Sequence, residues 1–297
     1  MNRLKTAAVA AAIISALALS ACGSSSLDEA DAGTASSLPT AQVDQALADR
    51  VPADLKPAGT LIDGSDGSYA PNEFIGTDGK SMEGMDVDLL NAIGTTLGLK
   101  VEYNNAGFDT IILGVTSGKY DIAISSFTIN DERMKQVNMV QYFNAGTSWA
   151  TKKGNPNGVD PSNACGLTVA VQKGTVQVDD LEAKSKACVD AGKKAIVAVV
   201  EAEQSKATAN VVSGKADATL ADSPIAAYAV KQSGELELVG EMYDAAPYGI
   251  VVPKADTELA TLVSEALAKL KADGVYDAIL AKWGNTSGAV TAFPVNP

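Results

Sequence analysis

Histidine is absent from all 297 residues. That removes the usual general base and the commonest nitrogen ligand for metals, and it excludes Ser-His-Asp and Cys-His catalytic arrangements. Cysteine is scarce. Cys22, Cys165 and Cys188 show no zinc-type spacing, so neither a metal nor a cofactor is expected. Bases are in deficit, 23 against 36 acids, and the net charge of −13 becomes −15 if Arg3 and Lys5 leave with a cleaved leader. Nucleic acid is therefore excluded as a partner, because its binders need a basic footprint. No GxxxxGK[ST] loop is present to cradle a nucleotide. Beyond Ala7 to Leu19, no apolar run approaches the roughly 20 residues of a membrane span.

What is present at the N-terminus is a charged pair, Arg3 and Lys5, then that apolar run, then Leu19-Ser20-Ala21-Cys22. The order matches a bacterial lipoprotein signal over residues 1–21, with Cys22 as the lipidated first residue of the mature chain. An ordinary cleaved signal with an incidental cysteine is the alternative. Lipid on Cys22 implies an extracytoplasmic protein held at the cell membrane without a transmembrane helix. Cys165 and Cys188 then remain as an even pair in an oxidising compartment and are expected to form a disulfide, two buried thiols being the alternative. Residues 22–57, rich in Ser, Ala, Asp, Gly and Pro, read as a flexible tether, within which Val43 to Ala48 fit one helical turn packing on the body.

The body of about 240 residues is long enough for two lobes. Its periodicity predicts a helix over 86–97, a strand over 100–103, a helix over 109–117 and a strand over 121–125. Downstream it predicts strands over 167–171, 195–200 and 217–220 with helices over 178–191 and 203–213. Such alternation implies an α/β fold with mainly parallel sheets. A local repeat relates the halves: Ser117-Gly118-Lys119-Tyr120-Asp121 leads through a strand to Ser126, as Ser213-Gly214-Lys215-Ala216-Asp217 leads to Asp222. Ligands of open α/β sheets bind beyond the carboxyl ends of strands. A cleft between two such units puts Ser126 and Arg133 on one wall and Asp222 on the other, a cation and an anion suited to a zwitterion. The segment Ile124-Ser125-Ser126-Phe127-Thr128-Ile129-Asn130-Asp131-Glu132-Arg133 joins hydroxyls to a planar guanidinium, which suits a small carboxylate.

The run Gly84-Met85-Asp86-Val87-Asp88-Leu89, together with Tyr69-Ala70-Pro71, Ser117-Gly118-Lys119-Tyr120-Asp121, Gln172-Lys173-Gly174-Thr175 and Ala272-Asp273-Gly274-Val275-Tyr276, resembles the polar amino-acid family (family 3) of bacterial ABC-transporter solute-binding lipoproteins. The likeness runs from about Gly59 to Trp283, and Met85 departs from the signature. It implies a two-lobed, type II periplasmic-binding-protein-like fold with a ligand cleft between lobes and two crossing hinge strands. Lobe 1 is expected to span 58–146 plus 246–297 and lobe 2 to span 147–245, with a final helix, Thr257 to Trp283, packing on lobe 1. The implied role is capture of an L-amino acid for an ABC permease by a monomer that is not an enzyme. A dehydratase-like extracellular enzyme using Asp66 or Glu73 as base and a sensory binding protein are the alternatives.

The resemblance also assigns residues. Arg133 would hold the ligand carboxylate, with Ser126 and Thr128 completing contacts to carboxylate and ammonium, or else capping the following helix. Asp222 would take the ammonium, or N-cap the helix near Pro224. Tyr69 would cover the ligand side chain, with Phe108 as a further wall. Gly174 and Thr175 match a loop whose backbone N–H groups meet the carboxylate. Asp66 and Gln172 match positions reaching the ligand side chain, and a carboxylate there favours a polar or cationic amino acid over an acidic one; alternatively Asp66 stabilises the turn through Ser68. Asn72 replaces a common aromatic, and Val176 stands where relatives carry Thr or Ser.

Overall fold

The computed structural model describes residues 39–53, 55 and 58–297. The leader, Cys22 and the first part of the expected tether lie outside the described residues. From Ala41 the chain begins to pack on the body. Asp44 accepts the Ala46 and Leu47 amides and starts α1 (Gln45–Ala48). Leu47, Val51 and Leu55, four residues apart, enter the main core. The tether expected as far as residue 57 is corrected accordingly: an apolar stripe at helical spacing was hidden in a polar average composition.

In chain order follow β1 (Thr60–Ser65), the short strands β2 (Ser68–Tyr69), β3 (Glu73–Ile75) and β4 (Met82–Glu83), α2 (Met85–Thr96), β5 (Lys100–Asn105), α3 (Phe108–Thr116), α4 (Asp131–Gln136) and the long β6 (Val137–Lys152). The second half runs through β7 (Thr168–Gln172), α5 (Val176–Asp190), β8 (Val197–Glu201), α6 (Gln204–Val212), β9 (Ala218–Asp222), α7 (Ser223–Ser233), the long β10 (Leu236–Pro253), α8 (Thr257–Ala272) and α9 (Val275–Trp283). Strands β1 and β5 are parallel, as are β7 with β8 and β7 with β9. The larger sheet has the order β10-β6-β9-β7-β8. Its antiparallel pair β6 and β10 runs from one lobe to the other, and its register shifts between Val239 and Ala246, where the chain crosses. The architecture is α/β and two-lobed.

Buried apolar side chains sort by segment. Leu89, Ile93, Ile124, Tyr142, Leu262, Leu267 and Tyr276 belong to one core, with Ile111, Phe127 and Val251 in an adjoining one. Trp149, Val169, Val171, Leu181 and Leu220 form another, beside Ala207 and Val211. The apolar stripe read after Thr257 is buried, but the single helix expected to Trp283 is two. Gly274 sits at φ +76° between α8 and α9, a left-handed conformation that ends the first helix. Cys165 and Cys188 form a disulfide with Cα atoms 5.5 Å apart, tying α5 to the loop before β7.

The repeat is visible as matching hydrogen bonds. Asp121 Oδ2 accepts the Ile62 amide at 2.8 Å and Asp217 Oδ2 accepts the Thr168 amide at 2.7 Å. Each aspartate so joins its helix-to-strand turn to an earlier strand of its unit, β1 or β7. The tips differ. β9 is paired on both sides, whereas residues 121–125, expected as a strand, make only bridges, Ile122 to Asp63 and Ala123 to Val251. Among the described residues no helix is long and apolar enough to cross a membrane.

Candidate binding cleft

Arg133 lies in the first turn of α4, whose cap is Asn130, accepting the Arg133 amide at 2.9 Å. Neither Ser126 nor Thr128 caps this helix. The guanidinium donates through Nη1 to the Thr128 carbonyl at 2.7 Å and through Nη2 across the cleft to the Gly174 carbonyl at 3.1 Å. It sits 5.5 Å from the ring centres of both Phe108 and Phe127, which stack on each other at 4.7 Å. This is cation–π geometry. Burial pulls the Arg133 pKa down, and the negative charges of Asp222 and Asp179 oppose that.

Asp222 ends β9 at the mouth of α7, yet its side chain makes no cap bond. It accepts instead from Tyr69 Oη across the cleft at 2.8 Å and from Gln177 Nε2 at 2.8 Å. The Tyr248 hydroxyl lies against it, buried, without completing a hydrogen bond of ordinary geometry. Burial pushes the Asp222 carboxyl up, while these donors and Arg133 pull it back.

Asp66 stabilises the turn through Ser68, the alternative given for it, and also bonds Phe108 and Gln172. Oδ1 accepts the Ser68 amide at 3.0 Å, forming the turn, and Oδ2 accepts the Phe108 amide at 3.0 Å and Gln172 Nε2 at 2.8 Å. Desolvation raises its pKa. Gln172 Oε1 is buried beside it with no donor. A cavity of about 450 Å³ opens next to Asp66, lined by Gly67, Ser68 and Asn105 on one side and Ala202, Glu203 and Ser205 on the other.

Gly174 and Thr175 form the turn into α5. Gly174 has φ +80°, and a Cβ there would stand 2.9 Å from Asp109 Cβ, so only glycine permits both the turn and the approach of this loop to α3. Thr175 Oγ1 donates to the Gln172 carbonyl at 2.8 Å. At the rim Lys173 and Asp109 pair at 2.8 Å.

Ser126, at φ +51°, is held from behind. Its amide donates to Asp86 Oδ2 at 3.0 Å, and Asn72 Nδ2 donates to its Oγ at 2.9 Å. Ser125 Oγ donates to Glu73 Oε1 at 2.9 Å. The structure joins Arg133 to Thr128, Phe108 and Gly174, Tyr69 to Asp222, Asp66 to Phe108 and Gln172, and Thr175 to Gln172, whereas the side-chain partners of Ser126 are Asn72, Glu73 and Asp86. The sequence reading missed Gln177, and it named Asn72, Glu73 and Asp86 without the supporting role they take behind Ser126. Gln177 had one signal: it shares the buried face of α5 with Leu181 and Cys188.

A family model for bacterial extracellular solute-binding proteins, family 3, matches residues 61–286. The arginine-binding protein ArgT of Corynebacterium glutamicum is 35% identical over 247 residues, covering 82% of this chain and 81% of the relative. The L-cystine-binding protein TcyJ of Escherichia coli is 28% identical, over 77% of this chain and 84% of its own. Among solved structures, an ancestral arginine-binding protein bound to arginine matches with a TM-score of 0.70 and 37% identity, covering 76% of this chain and 98% of its own. The ancestral amino acid-binding protein AncCDT-1, a precursor of cyclohexadienyl dehydratase, gives 0.69 and 34%, over 77% and 97%.

Proposed function

Since the chain belongs to the family 3 bacterial extracellular solute-binding proteins, we propose that it captures a cationic L-amino acid, arginine foremost, outside the cytoplasm and delivers it to an ABC permease. The observation that carries the side-chain preference is Gln172 Oε1, a buried acceptor with no donor, beside the Asp66 carboxylate. Two acceptors at one end of the cleft call for a group rich in N–H donors, and guanidinium has five. Charge agrees: Asp66 and Asp222 are buried carboxyls, with Arg133 as the buried cation beside them. A ligand bearing an ammonium, a cationic side chain and one carboxylate adds positive charge where burial disfavours negative. The arginine-binding relatives support the same choice, and an ancestral arginine-binding protein is also known bound to glutamine.

In this reading Arg133 and the α5 N-terminus, through Gly174 and Thr175, receive the carboxylate. Asp222, Ser126 and Thr128 receive the ammonium, and Tyr69 and Phe108 enclose the aliphatic stem. Lobe 1 is assigned to 58–146 plus 246–297 and lobe 2 to 147–245. Ligand touching both walls favours the closed arrangement over the open one. The protein acts as a monomer tethered by lipid on Cys22. The dehydratase-like alternative has less support: Glu73 is engaged by Ser125 and Asp86 and, buried, is pushed well above the carboxylate range, so it is not a free base. Titration calorimetry with L-arginine tests the proposal. Arg133→Ala is expected to weaken binding at least about 100-fold, the scale of a buried charge-assisted pair; unchanged affinity would remove the carboxylate clamp.

A further inference from the structure

Ser126 Oγ has one hydrogen to give and two lone pairs to fill. Around it the chain places Asn72 Nδ2 at 2.9 Å, Glu73 Oε2 at 3.2 Å and Asp86 Oδ2 at 3.3 Å. The orientation of the Asn72 amide is set on its other side, where its Oδ1 accepts Asn285 Nδ2 at 3.1 Å, and Asn285 Nδ2 also lies 3.3 Å from Met85 Sδ. Asn72 and Met85, two departures from the family pattern, therefore meet at one point behind the cleft. With its oxygen turned to Asn285, Asn72 donates to Ser126 and fills one lone pair.

The hydrogen of Ser126 goes the other way. Asp86 Oδ2 already accepts Tyr142 Oη at 2.6 Å and the Ser126 amide at 3.0 Å, which is the donor set of a carboxylate. Asp86 Oδ1 is buried with no conventional donor. The neighbouring Glu73 carboxyl, which interacts electrostatically with Asp86, can supply that donor when it carries a proton. Burial and the charge of Asp86 push the Glu73 carboxyl well above its ordinary range, consistent with that proton staying in place. Both carboxyls are fully buried. The pair thus holds one proton and one charge, and it draws the Ser126 hydrogen away from the cleft.

We propose that Asn72, Glu73 and Asp86 are positioning residues that fix the Ser126 hydroxyl as a hydrogen-bond acceptor toward the cleft, so that it selects ligands carrying an α-ammonium. The proposal rests on the amino-acid-binding reading above. It adds that discrimination for the ammonium is built behind the cleft by groups that do not touch the ligand, and that Asp222 supplies charge while Ser126 supplies a fixed lone pair. Glu73→Gln would place an amide donor beside Ser126 Oγ and turn the hydroxyl hydrogen outward.

The test compares dissociation constants for two probe pairs that differ only in the α-ammonium: L-arginine against 5-guanidinopentanoate, and L-glutamine against glutaramate. Glu73→Gln is expected to weaken the amino acids about 10- to 100-fold, the scale of a hydrogen bond to a charged group, while the des-amino probes change little. Asn72→Leu, a milder change to the fold, is expected to shift the same ratio in the same direction. If both members of each pair weaken equally in both variants, these residues only support the fold and the proposal is overturned while the amino-acid reading stands. If the wild-type protein binds neither amino acid, both readings fall together.

Discussion

Asp63 carries a prediction that follows from counting hydrogens. Ser65 Oγ lies 2.6 Å from the Ile124 carbonyl and 2.5 Å from Asp63 Oδ2. A carbonyl only accepts, and the hydroxyl has one hydrogen, which it gives to Ile124. Asp63 must therefore carry the second proton and donate to Ser65, while its Oδ1 accepts the Ile124 amide at 3.0 Å. The electrostatics agree, since burial pushes this carboxyl from 3.8 up to about 8. A folded-state pKa raised in this way gives stability that is fully present below the unfolded value and is lost as pH rises through the folded one. Between pH 5 and 7 the unfolded chain has released this proton and the native protein has not. One such group then costs ~1.4 kcal/mol per pH unit, or ~3 kcal/mol over that interval.

Asp63→Asn removes the titration and keeps the pattern, with Nδ2 donating to Ser65 and Oδ1 accepting from Ile124. Urea unfolding without ligand, followed by tryptophan fluorescence at pH 5, 6, 7 and 8, reads the difference between the two proteins. Glu73 and Asp86, itself pushed up to about 6, titrate in both and largely cancel in that difference. The variant is expected to gain on the wild type by ~3 kcal/mol from pH 5 to pH 7 and to level off above pH 8. A difference constant within ~0.5 kcal/mol across the series would mean that Asp63 is ionised in the native protein, and the hydrogen count would be wrong.

Three further outcomes are expected. Replacing Cys165 and Cys188 by serine removes a cross-link between residues 23 apart and should cost about 3 kcal/mol in the chain-entropy account, seen as a lower melting temperature that no longer responds to reductant. Asp66→Asn should reduce affinity for L-arginine relative to L-glutamine about 10-fold, because a carboxylate rewards a guanidinium over an amide; equal losses by calorimetry would detach Asp66 from the side chain. Gly84→Ala should destabilise the protein by more than ~2 kcal/mol in thermal unfolding, since Gly84 sits at φ +138° with the Asn72 carbonyl oxygen 2.0 Å from an added Cβ.

The parts of this molecule legible in the sequence are those with local causes. The helix-to-strand repeat is readable because a glycine at positive φ and an aspartate bonding an earlier strand of the same unit recur at the same spacing: Gly118 with Asp121, Gly214 with Asp217. Arg133 was legible from the hydroxyls before it, and Asp222 from the repeat that aligns it with Ser126. Less was legible where contacts join distant residues. Nothing near Asn72 in sequence announces Asn285 as its partner, and nothing near Gln177 announces Asp222. Asp63 sits within β1, and its neutrality depends on a carbonyl 61 positions away. The break at Gly274 is hard to see in sequence because the apolar stripe continues on both sides of it.

On the proposed function, the cleft of Arg133, Asp222 and Asp66 closes on a cationic amino acid. The most direct measurement is the melting temperature of the purified protein, freed of co-purified ligand, with each of the 20 amino acids in turn. Ligand in thousandfold excess over its Kd should raise the melting temperature by on the order of 10 °C. That rise is expected for arginine, with smaller shifts for lysine and glutamine and none for glutamate or aspartate. No shift with any amino acid, or a rise confined to the acidic ones, would contradict the proposed function.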